Sequence, residues 1–404
     1  MSERRWEQVA RSVGLVGPDG TVAATVFAEM SALAVRTGAA NLGQGFPDAD
    51  GPDHVRAAAV AAIERGDNQY PPGPGIPQLR RAVADHQRAH YGLDVDPETV
   101  LVTAGATEAI AATVLALTGP GDEVVTLEPY YDSYAATIAM SGASHRTIPL
   151  RPGPGGFRLH AADVDAAFSP RTRLVLVNTP HNPTGTVLTR AELELVGRAA
   201  VAHDAVVVTD EVYEHLTFDG AEHVPMATLP GLAERTITIS SAGKTLSLTG
   251  WKVGWLHGPA ELVTAVRTVK QFLTYVASGP FQHAVADALP DPRTAAYVAG
   301  LARSLQDRRD LLCGALADAG LVPVVPQGTY FVLADAAPLG HPDAVALCRD
   351  LPALAGVVAI PVSAFCVAGG ETARALRSWV RFTFVKSPAV LEAAAAGLAR
   401  LSPG

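Results

Sequence analysis

The stretch SSAGKTLSLTGWKVGW, residues 240–255, joins two apolar runs, RTITISS (235–241) and KVGWLHG (252–258). Four further runs of the same kind precede it: VLVTAG (100–105), DEVVTLEP (122–129), TRLVLVNTP (172–180) and DAVVVTDE (204–211). Short runs that are rich in β-branched residues and bounded by turn residues are typical of buried strands. These six runs are therefore predicted to be strands of one buried sheet.

Helix-type segments lie between the predicted strands. They are ATEAIAATVLAL (106–117), YDSYAATIAM (131–140) and RAELELVGRAAVAHD (190–204), all rich in residues that favour helices. Alternation of strands and helices predicts an α/β fold with a mainly parallel central sheet covered on both faces. This part of the chain is expected to form a large three-layer domain.

The pattern changes near residue 290. A long helical stretch (293–320) is followed by the short runs VPVVP (322–326), YFVLAD (330–335) and VRFTFV (380–385), and then by an Ala-rich helix. Such a mixture predicts a smaller α+β domain. We expect an N-terminal arm with part of the small domain over residues 1–47, the large domain over 48–289 and the small C-terminal domain over 290–404.

Composition excludes several classes of protein. Of 404 residues 48 % are apolar and 18 % charged, which is typical of globular proteins, and the net charge of −9 disfavours nucleic acid or an anionic membrane as partner. The three cysteines, Cys313, Cys348 and Cys366, show no zinc-site or disulfide spacing. With no signal-like or membrane-spanning apolar run, the chain is expected to be cytoplasmic and to hold no metal.

Lys244 is the first candidate for chemistry, since it lies among small residues just after a predicted strand. A lysine that attacks an aldehyde must be deprotonated, which requires a desolvated site or neighbouring cations. Lys252 is placed to supply such a cation while it binds a phosphate. Taken alone, both lysines are equally compatible with an exposed loop.

Two further strand ends carry polar residues. VVVTDEVYEH brings Asp210 to a strand end with Tyr213 three residues later, and LVNTPHNPTG places Asn182 in a turn. A buried carboxylate needs a partner, and a protonated pyridine nitrogen is one. Alternatively, Asp210 caps the following helix and Asn182 only shapes a turn.

A fourth segment, VTAGATEAI, is a strand followed by small residues and a helix. A helix start of this kind directs backbone N–H groups and the helix dipole towards an anion. Ser241 is positioned to add a hydroxyl donor to the same phosphate. All four segments follow strand ends, where open α/β sheets bind their ligands.

In this order, the four segments resemble the class I aminotransferases of pyridoxal 5′-phosphate (PLP) fold type I, over residues 26–386. The resemblance implies that Lys244 carries PLP as a Schiff base, that Asp210 contacts the pyridine nitrogen, and that Asn182 and Tyr213 contact the phenolic oxygen. It also implies that the phosphate is bound by Gly105, Ala106, Thr107, Ser241 and Lys252. The resemblance further implies that Tyr131 stacks on the cofactor ring and that Arg381 in WVRFTFV binds the substrate α-carboxylate.

Other motifs narrow the subgroup. Lys252, where many members have arginine, and NLGQGFPD with Gly45 as a carboxylate contact resemble the kynurenine and glutamine transaminases. Phe27 resembles a substrate-pocket position, although a core phenylalanine fits it equally well. By analogy Tyr70 and Tyr275 reach the neighbouring subunit's site, Tyr70 at the cofactor and Tyr275 at the substrate, which implies a homodimer.

The stretch TVFAEMSALAVRTGAANLGQGFPD (25–48), with NQYPPGPG, GTYFVLAD and IPVSAF, resembles the N-succinyldiaminopimelate aminotransferases of actinobacteria. The implied activity is ping-pong transfer of an amino group from an amino acid to a 2-oxo acid such as 2-oxoglutarate, with N-succinyl-LL-2,6-diaminopimelate as a candidate donor. Lys244 acts as general base and acid.

Several alternatives stay open. One is a kynurenine, glutamine or methionine transaminase with β-lyase activity on cysteine conjugates, and another is a natural-product enzyme that performs β- or γ-replacement. A PLP-binding regulator would bring a DNA-binding segment, which is not visible. A nicotinamide-dependent enzyme is disfavoured because no GxGxxG turn follows a first strand.

Overall fold

A computed structural model describes residues 4–16, 20–153 and 155–401. Residues 1–3 and 17–19 of the predicted N-terminal arm, residue 154 of the predicted large domain and residues 402–404 of the predicted small domain lie outside the described residues. The division into residues 1–47, 48–289 and 290–404 stays a prediction.

Most strands of the structure lie where the apolar runs predict them. The described strands are β1 (Ala40–Asn41), β2 (Val100–Ala104), β3 (Glu123–Glu128), β4 (Ser144–Pro149), β5 (Arg151–Gly153), β6 (Gly156–Arg158), β7 (Thr172–Asn178), β8 (Val206–Asp210), β9 (Thr236–Ser241), β10 (Val253–His257), β11 (Val322–Val324), β12 (Phe331–Asp335), β13 (Val357–Val358), β14 (Ile360–Pro361) and β15 (Trp379–Thr383).

The helices fill the intervals between these strands. The described α-helices are α1 (Arg5–Ser12), α2 (Val26–Thr37), α3 (Asp53–Arg65), α4 (Pro77–Tyr91), α5 (Gly105–Leu117), α6 (Asp132–Ser141), α7 (Ala161–Ala167), α8 (Arg190–Ala202), α9 (Ala242–Thr245), α10 (Ala260–Lys270), α11 (Gly279–Ala288), α12 (Pro292–Asp318), α13 (Ala344–Ala355), α14 (Glu371–Ala375) and α15 (Pro388–Leu398).

Seven strands form the central sheet, in the order β2-β10-β9-β8-β7-β3-β4. β3, β4, β7, β8 and β9 pair in parallel, whereas β10 is antiparallel to both of its neighbours. The sheet is thus mainly parallel, as predicted. β4 was not predicted, because its side chains are mostly only partly buried and lack the continuous apolar pattern.

Burial explains why the central strands form. The valine, leucine and isoleucine side chains of β3, β7 and β9 are fully buried, and they pack against helices such as α5, α6 and α8 in two clusters. A sheet that is covered on both faces requires such apolar strands. Helix starts are fixed locally as well: the Thr189 hydroxyl accepts from the Glu192 N–H while the Glu192 carboxylate accepts from the Thr189 N–H.

A second sheet contains four strands in the order β11-β12-β15-β14. It packs with α12, α13 and α15 in a third apolar cluster, which also includes Met30 and Ala34 of α2. β1 pairs in parallel with β13, so residues 40–41 join residues 357–358. In the described part of the chain, no helix is long and apolar enough to cross a membrane.

Candidate active site

A cavity of about 420 Å³ lies at the edge of the central sheet where β2, β7, β8 and β9 end and β10 begins. We call it the cleft. It gathers most of the residues that the sequence singled out. Its lining includes Phe27, Gly45, Gly105, Ala106, Thr107, Tyr131, Asn182, Asp210, Tyr213, Ser241, Lys244, Lys252 and Arg381.

Lys244 lies on the short helix α9, which begins directly after β9. Its Nζ is 5.9 Å from the ring centroid of Tyr213 and 5.6 Å from that of Tyr330. The two rings are edge to face with their centroids 5.3 Å apart. The amine thus stands beside two aromatic rings within the cleft, where water is partly excluded.

Asp210 is the last residue of β8 and is almost fully buried. Its Oδ2 accepts from the Tyr134 hydroxyl at 2.5 Å, and its backbone carbonyl accepts from Asn178 Nδ2 at 2.8 Å. Burial raises the pKa of the Asp210 carboxyl to about 6, although the hydrogen bond from Tyr134 opposes the rise. Burial also raises the pKa of Tyr213 well above its usual range. Among the residues that the structure describes, the Asp210 carboxylate therefore forms no ion pair.

Arg381 lies in β15 of the second sheet and reaches into the cleft. Its Nη1 donates to Asn182 Oδ1 at 3.2 Å and its Nη2 to the Gly43 carbonyl at 2.8 Å, while its buried Nε has no partner among the described residues. The rings of Phe331 and Phe365 lie 4.1 and 4.5 Å from its Cζ. Burial lowers the pKa of the guanidinium to about 10.

The start of α5 forms the opposite wall. Gly105 has φ +78°, and a Cβ there would lie 3.1 Å from Lys252 Nζ. A Cβ on Gly254 would lie 2.5 Å from the Gly105 carbonyl carbon, so only glycine lets β10 approach this turn. Burial and the charge of Lys244 lower the pKa of Lys252. A helix start beside a lysine is a site for a phosphate.

This arrangement agrees with the comparisons to known proteins. A family model described as aminotransferase class I and II matches residues 37–398. The chain belongs to this family.

The sequences of named relatives match this aminotransferase over nearly its whole length. It is 55 % identical over 377 residues to a probable N-succinyldiaminopimelate aminotransferase of Mycobacterium tuberculosis, with 92 % of this chain and 94 % of that protein covered. It is 40 % identical over 379 residues to the methionine aminotransferase of Escherichia coli, with 93 % and 96 % covered. Transaminase function and class are therefore established.

Solved structures give the same result for the fold. The structure of N-succinyldiaminopimelate aminotransferase from M. tuberculosis matches with a TM-score of 0.90 at 54 % identity, covering 94 % of this chain and 98 % of that one. Aspartate aminotransferase from Thermus thermophilus with maleate matches with a TM-score of 0.87 at 34 % identity, covering 97 % and 98 %. The predicted PLP fold type I is confirmed.

Two of the predicted residues do not line the cleft of this aminotransferase. Tyr70 and Tyr275 are 80 % and 54 % exposed and contact each other edge to face, with their ring centroids 5.3 Å apart. Their predicted contact with a neighbouring subunit stays a prediction. His181, next to Asn182, is buried outside the cleft lining and pairs with the Thr184 hydroxyl, and burial lowers its pKa to about 3.

The surroundings of Gly45 and Phe27 explain why these two predicted residues lie at the cleft. A Cβ on Gly45 would lie 2.4 Å from Cζ of Phe331, so this position in the aminotransferase must be glycine for the aromatic ring to fit. Phe27 is partly buried and stands edge to face with Phe365 at 5.7 Å while it also lines the cleft. Both interpretations of Phe27, as core and as pocket residue, therefore describe it.

Sequence reasoning missed several cleft residues. Tyr134 donates to Asp210, and the Tyr330 hydroxyl donates to the Gly45 carbonyl at 2.7 Å. Asp132 lines the cleft, and burial raises its pKa while the charge of Arg381 opposes the rise. Asp132 follows Tyr131 directly and Tyr134 lies three residues after it, so the quoted segment YDSYAATIAM already contained both. Tyr330 lies in the quoted run YFVLAD, but that run was assigned to the small domain and not to the cleft.

Proposed function

We propose that this aminotransferase binds PLP through Lys244 and moves an amino group from an amino acid to a 2-oxo acid, with 2-oxoglutarate as acceptor. One observation carries the proposal: a single cleft combines a lysine, a buried carboxylate that forms no ion pair within the described chain, and an anion-binding helix start. Members of the family depend on PLP in general.

The residues of the cleft fit this cofactor. Asp210 would pair with the ring nitrogen, because its buried carboxylate accepts from the Tyr134 hydroxyl and the Val212 N–H and forms no ion pair with another described residue. Gly105, Ala106, Thr107, Ser241 and Lys252 would bind the phosphate, Asn182 and Tyr213 the phenolic oxygen, and Tyr131 the ring face. When bound, PLP supplies an aldehyde that condenses with amines and a ring that accepts electrons.

The chain's own residues supply orientation and proton transfer. Arg381 would bind the substrate α-carboxylate through two parallel hydrogen bonds, for which its unpartnered Nε is available. The Lys244 amine, once released, would take the proton from the substrate α-carbon and later return it. Tyr213 and Tyr330 beside the amine limit the access of water.

The proposed amino donor is an N-succinyldiaminopimelate, supported by 55 % identity to the M. tuberculosis protein of that name. A specific observation favours a second candidate, an aromatic or sulfur-containing amino acid. Within the described lining, Lys244, Lys252 and Arg381 are the only cations, and Phe27, Phe46 and Phe331 form an aromatic wall. The similarity to kynurenine and methionine aminotransferases supports this candidate as well.

We further propose a homodimer in which Tyr70 and Tyr275 complete the partner's cleft. Both side chains are exposed, and Phe272, three residues before Tyr275 in the sequence, is 82 % exposed, as is typical of apolar residues that a partner covers. A cytoplasmic location is supported by three cysteines that are all buried and unpaired.

The decisive experiment presents purified enzyme, loaded with PLP, with each donor and 2-oxoglutarate while glutamate and ammonia are measured separately. We expect glutamate to form, with the highest kcat/KM for N-succinyldiaminopimelate. Higher kcat/KM for kynurenine or methionine would select the second candidate. Ammonia without glutamate would indicate elimination instead of transamination and contradict the proposal.

Lys244→Ala serves as the matched variant. It should lose the yellow absorbance of lysine-bound PLP and at least about 10⁴-fold in kcat, because both the covalent attachment and the proton transfer are removed. Lys270 and Lys386 are both buried, so the control is the conservative Lys386→Arg, which keeps a cation beside Asp48. Retention of the yellow absorbance by Lys244→Ala would show that another group holds the cofactor.

A further inference from the structure

A second cavity, of about 250 Å³, lies behind the cleft and is lined by His86, His90, His215 and Glu214. We call it the histidine pocket. His86 and His90 lie one turn apart on α4, and His215 follows β8. One ring nitrogen from each histidine lies within 4.8 Å of the others. Residues from two distant segments thus converge on one point.

The three imidazoles crowd one another in a way that needs an explanation. Nε2 of His86 and Nε2 of His215 face each other at 2.8 Å, and the ring centroids of His90 lie 4.4 and 4.9 Å from those of His86 and His215. Two facing nitrogens share one proton, so one ring donates and the other accepts. Three neutral imidazoles that converge are also the ligand set of a zinc site.

The surroundings match such a site. His86 is buried and His215 partly buried, whereas His90 is exposed, so an ion can reach the point where the three ring nitrogens converge. Glu214 lies 3.9 Å from His215 Nε2 and is held by the hydroxyls of Tyr91 and Ser240 at 2.7 and 2.6 Å. Its negative charge would partly balance that of a cation.

The remaining wall leaves one side of the three histidines open. It is formed by small or apolar residues of α12, among them Ala295 and Val298, and by Trp255, whose buried Nε1 has no partner in the described chain. A site with three protein ligands and an open position takes water as the fourth ligand. The pocket offers both the room and an unsatisfied donor.

We propose that His86, His90 and His215 bind a divalent transition metal ion of the zinc type, with Glu214 as a charged neighbour. This differs from the sequence-based expectation of no metal, which rested on cysteine spacing. Imidazole ligands select zinc, cobalt, nickel or copper over magnesium and calcium. The proposed site is separate from the cleft and does not depend on the proposed donor.

Metal titration of tag-free, PLP-loaded enzyme tests the proposal. Zn²⁺ affinity is measured by competition with a chelating dye, and Co²⁺ binding is followed by its visible d–d absorbance, with Mg²⁺ as a negative control. We expect one Zn²⁺ per chain and a Co²⁺ spectrum typical of tetrahedral nitrogen ligation. Absence of Zn²⁺ binding, or a purely octahedral Co²⁺ spectrum, would refute the proposal.

His90→Gln is the informative variant because His90 is exposed, so its replacement should leave folding intact. Loss of a neighbouring residue costs metal sites about 10- to 100-fold in affinity, and loss of a ligand should cost at least about 100-fold. His160→Gln, at an exposed histidine of another surface, should bind as the parent does. Equal Zn²⁺ affinity of the His90 and His160 variants would overturn the assignment.

Discussion

The cleft and the histidine pocket lie on two sides of the same short segments. Asp210 and Tyr213 line the cleft, whereas Glu214 and His215 line the histidine pocket. The helix α9 is divided in the same way, with Lys244 on the cleft side and Thr245 on the other. Buried titratable groups are therefore present on both sides, separated by one layer of backbone.

The two sides differ in how their charges are paired. Outside the cleft, Glu211 pairs with His223 at 3.0 Å, and Glu214 accepts hydrogen bonds from two hydroxyls. In the cleft, and considering the described residues only, Asp210 forms no ion pair and Arg381 Nε has no hydrogen-bond partner. Groups that are left incompletely paired in a cavity are available to a ligand, whereas paired groups contribute to the folded state.

Asp210→Asn gives the largest effect expected from this comparison. Loss of one partner of a buried charge pair costs about 4 kcal/mol, which lowers kcat/KM by about 10³-fold. Folding should be retained, because the amide keeps the shape and can accept from Tyr134. Steady-state kinetics with PLP in excess measure the loss. An unchanged kcat/KM would remove Asp210 from the reaction.

Glu211→Gln also replaces a buried carboxylate by an amide, but at a residue that does not line the cleft. It removes the charged partner of the buried His223 and should lower the free energy of unfolding by about 3 kcal/mol. Urea denaturation of both variants measures this. If Glu211→Gln instead reduced kcat/KM as strongly as Asp210→Asn, the division between reactive and structural groups would be wrong.

Arg381 and Arg309 are both buried, so the variants Arg381→Lys and Arg309→Lys can be compared. Lysine cannot form the two-pronged contact, so kcat/KM should fall about 10- to 100-fold, mainly through KM. Arg309, whose guanidinium is paired with Asp219 and Asp310, is the control. Arg309→Lys should lower the free energy of unfolding and leave KM unchanged. A KM increase in both variants would mean that the effect is structural.

Some residues of the cleft are predictable from the sequence, whereas others are found only in the folded structure. Lys244, Asp210 and Asn182 lie in continuous motifs, each at the end of an apolar strand, so their meeting at one sheet edge was predictable. Arg381 was placed by resemblance alone, since its strand belongs to the second sheet. The sheet order and the edge strand β4 had no clear pattern in the sequence.

The histidine pocket was not predictable in the same way. His86 and His215 are separated by 129 residues, and no spacing rule links a helix to a turn so distant. Tyr330 likewise reaches Lys244 only because the second sheet packs against the first. Local motifs thus identify a site whose residues follow strand ends, whereas side chains brought together by packing require the structure.

Protonation of the buried His257 provides the smallest expected effect, a change of stability with pH. Burial lowers its pKa to about 4, an effect that the charge of Glu214 opposes and that of His86 reinforces. A lowered pKa means that the contribution to stability is present above about pH 6.5 and is lost as the pH falls towards 4. Between pH 7 and pH 5, His257 should therefore account for a loss of about 2 kcal/mol in the free energy of unfolding. His257→Gln should lose correspondingly less over the same interval in urea denaturation. A parallel pH dependence of the two proteins would show that His257 is already protonated in the fold, which would place a compensating charge beside it.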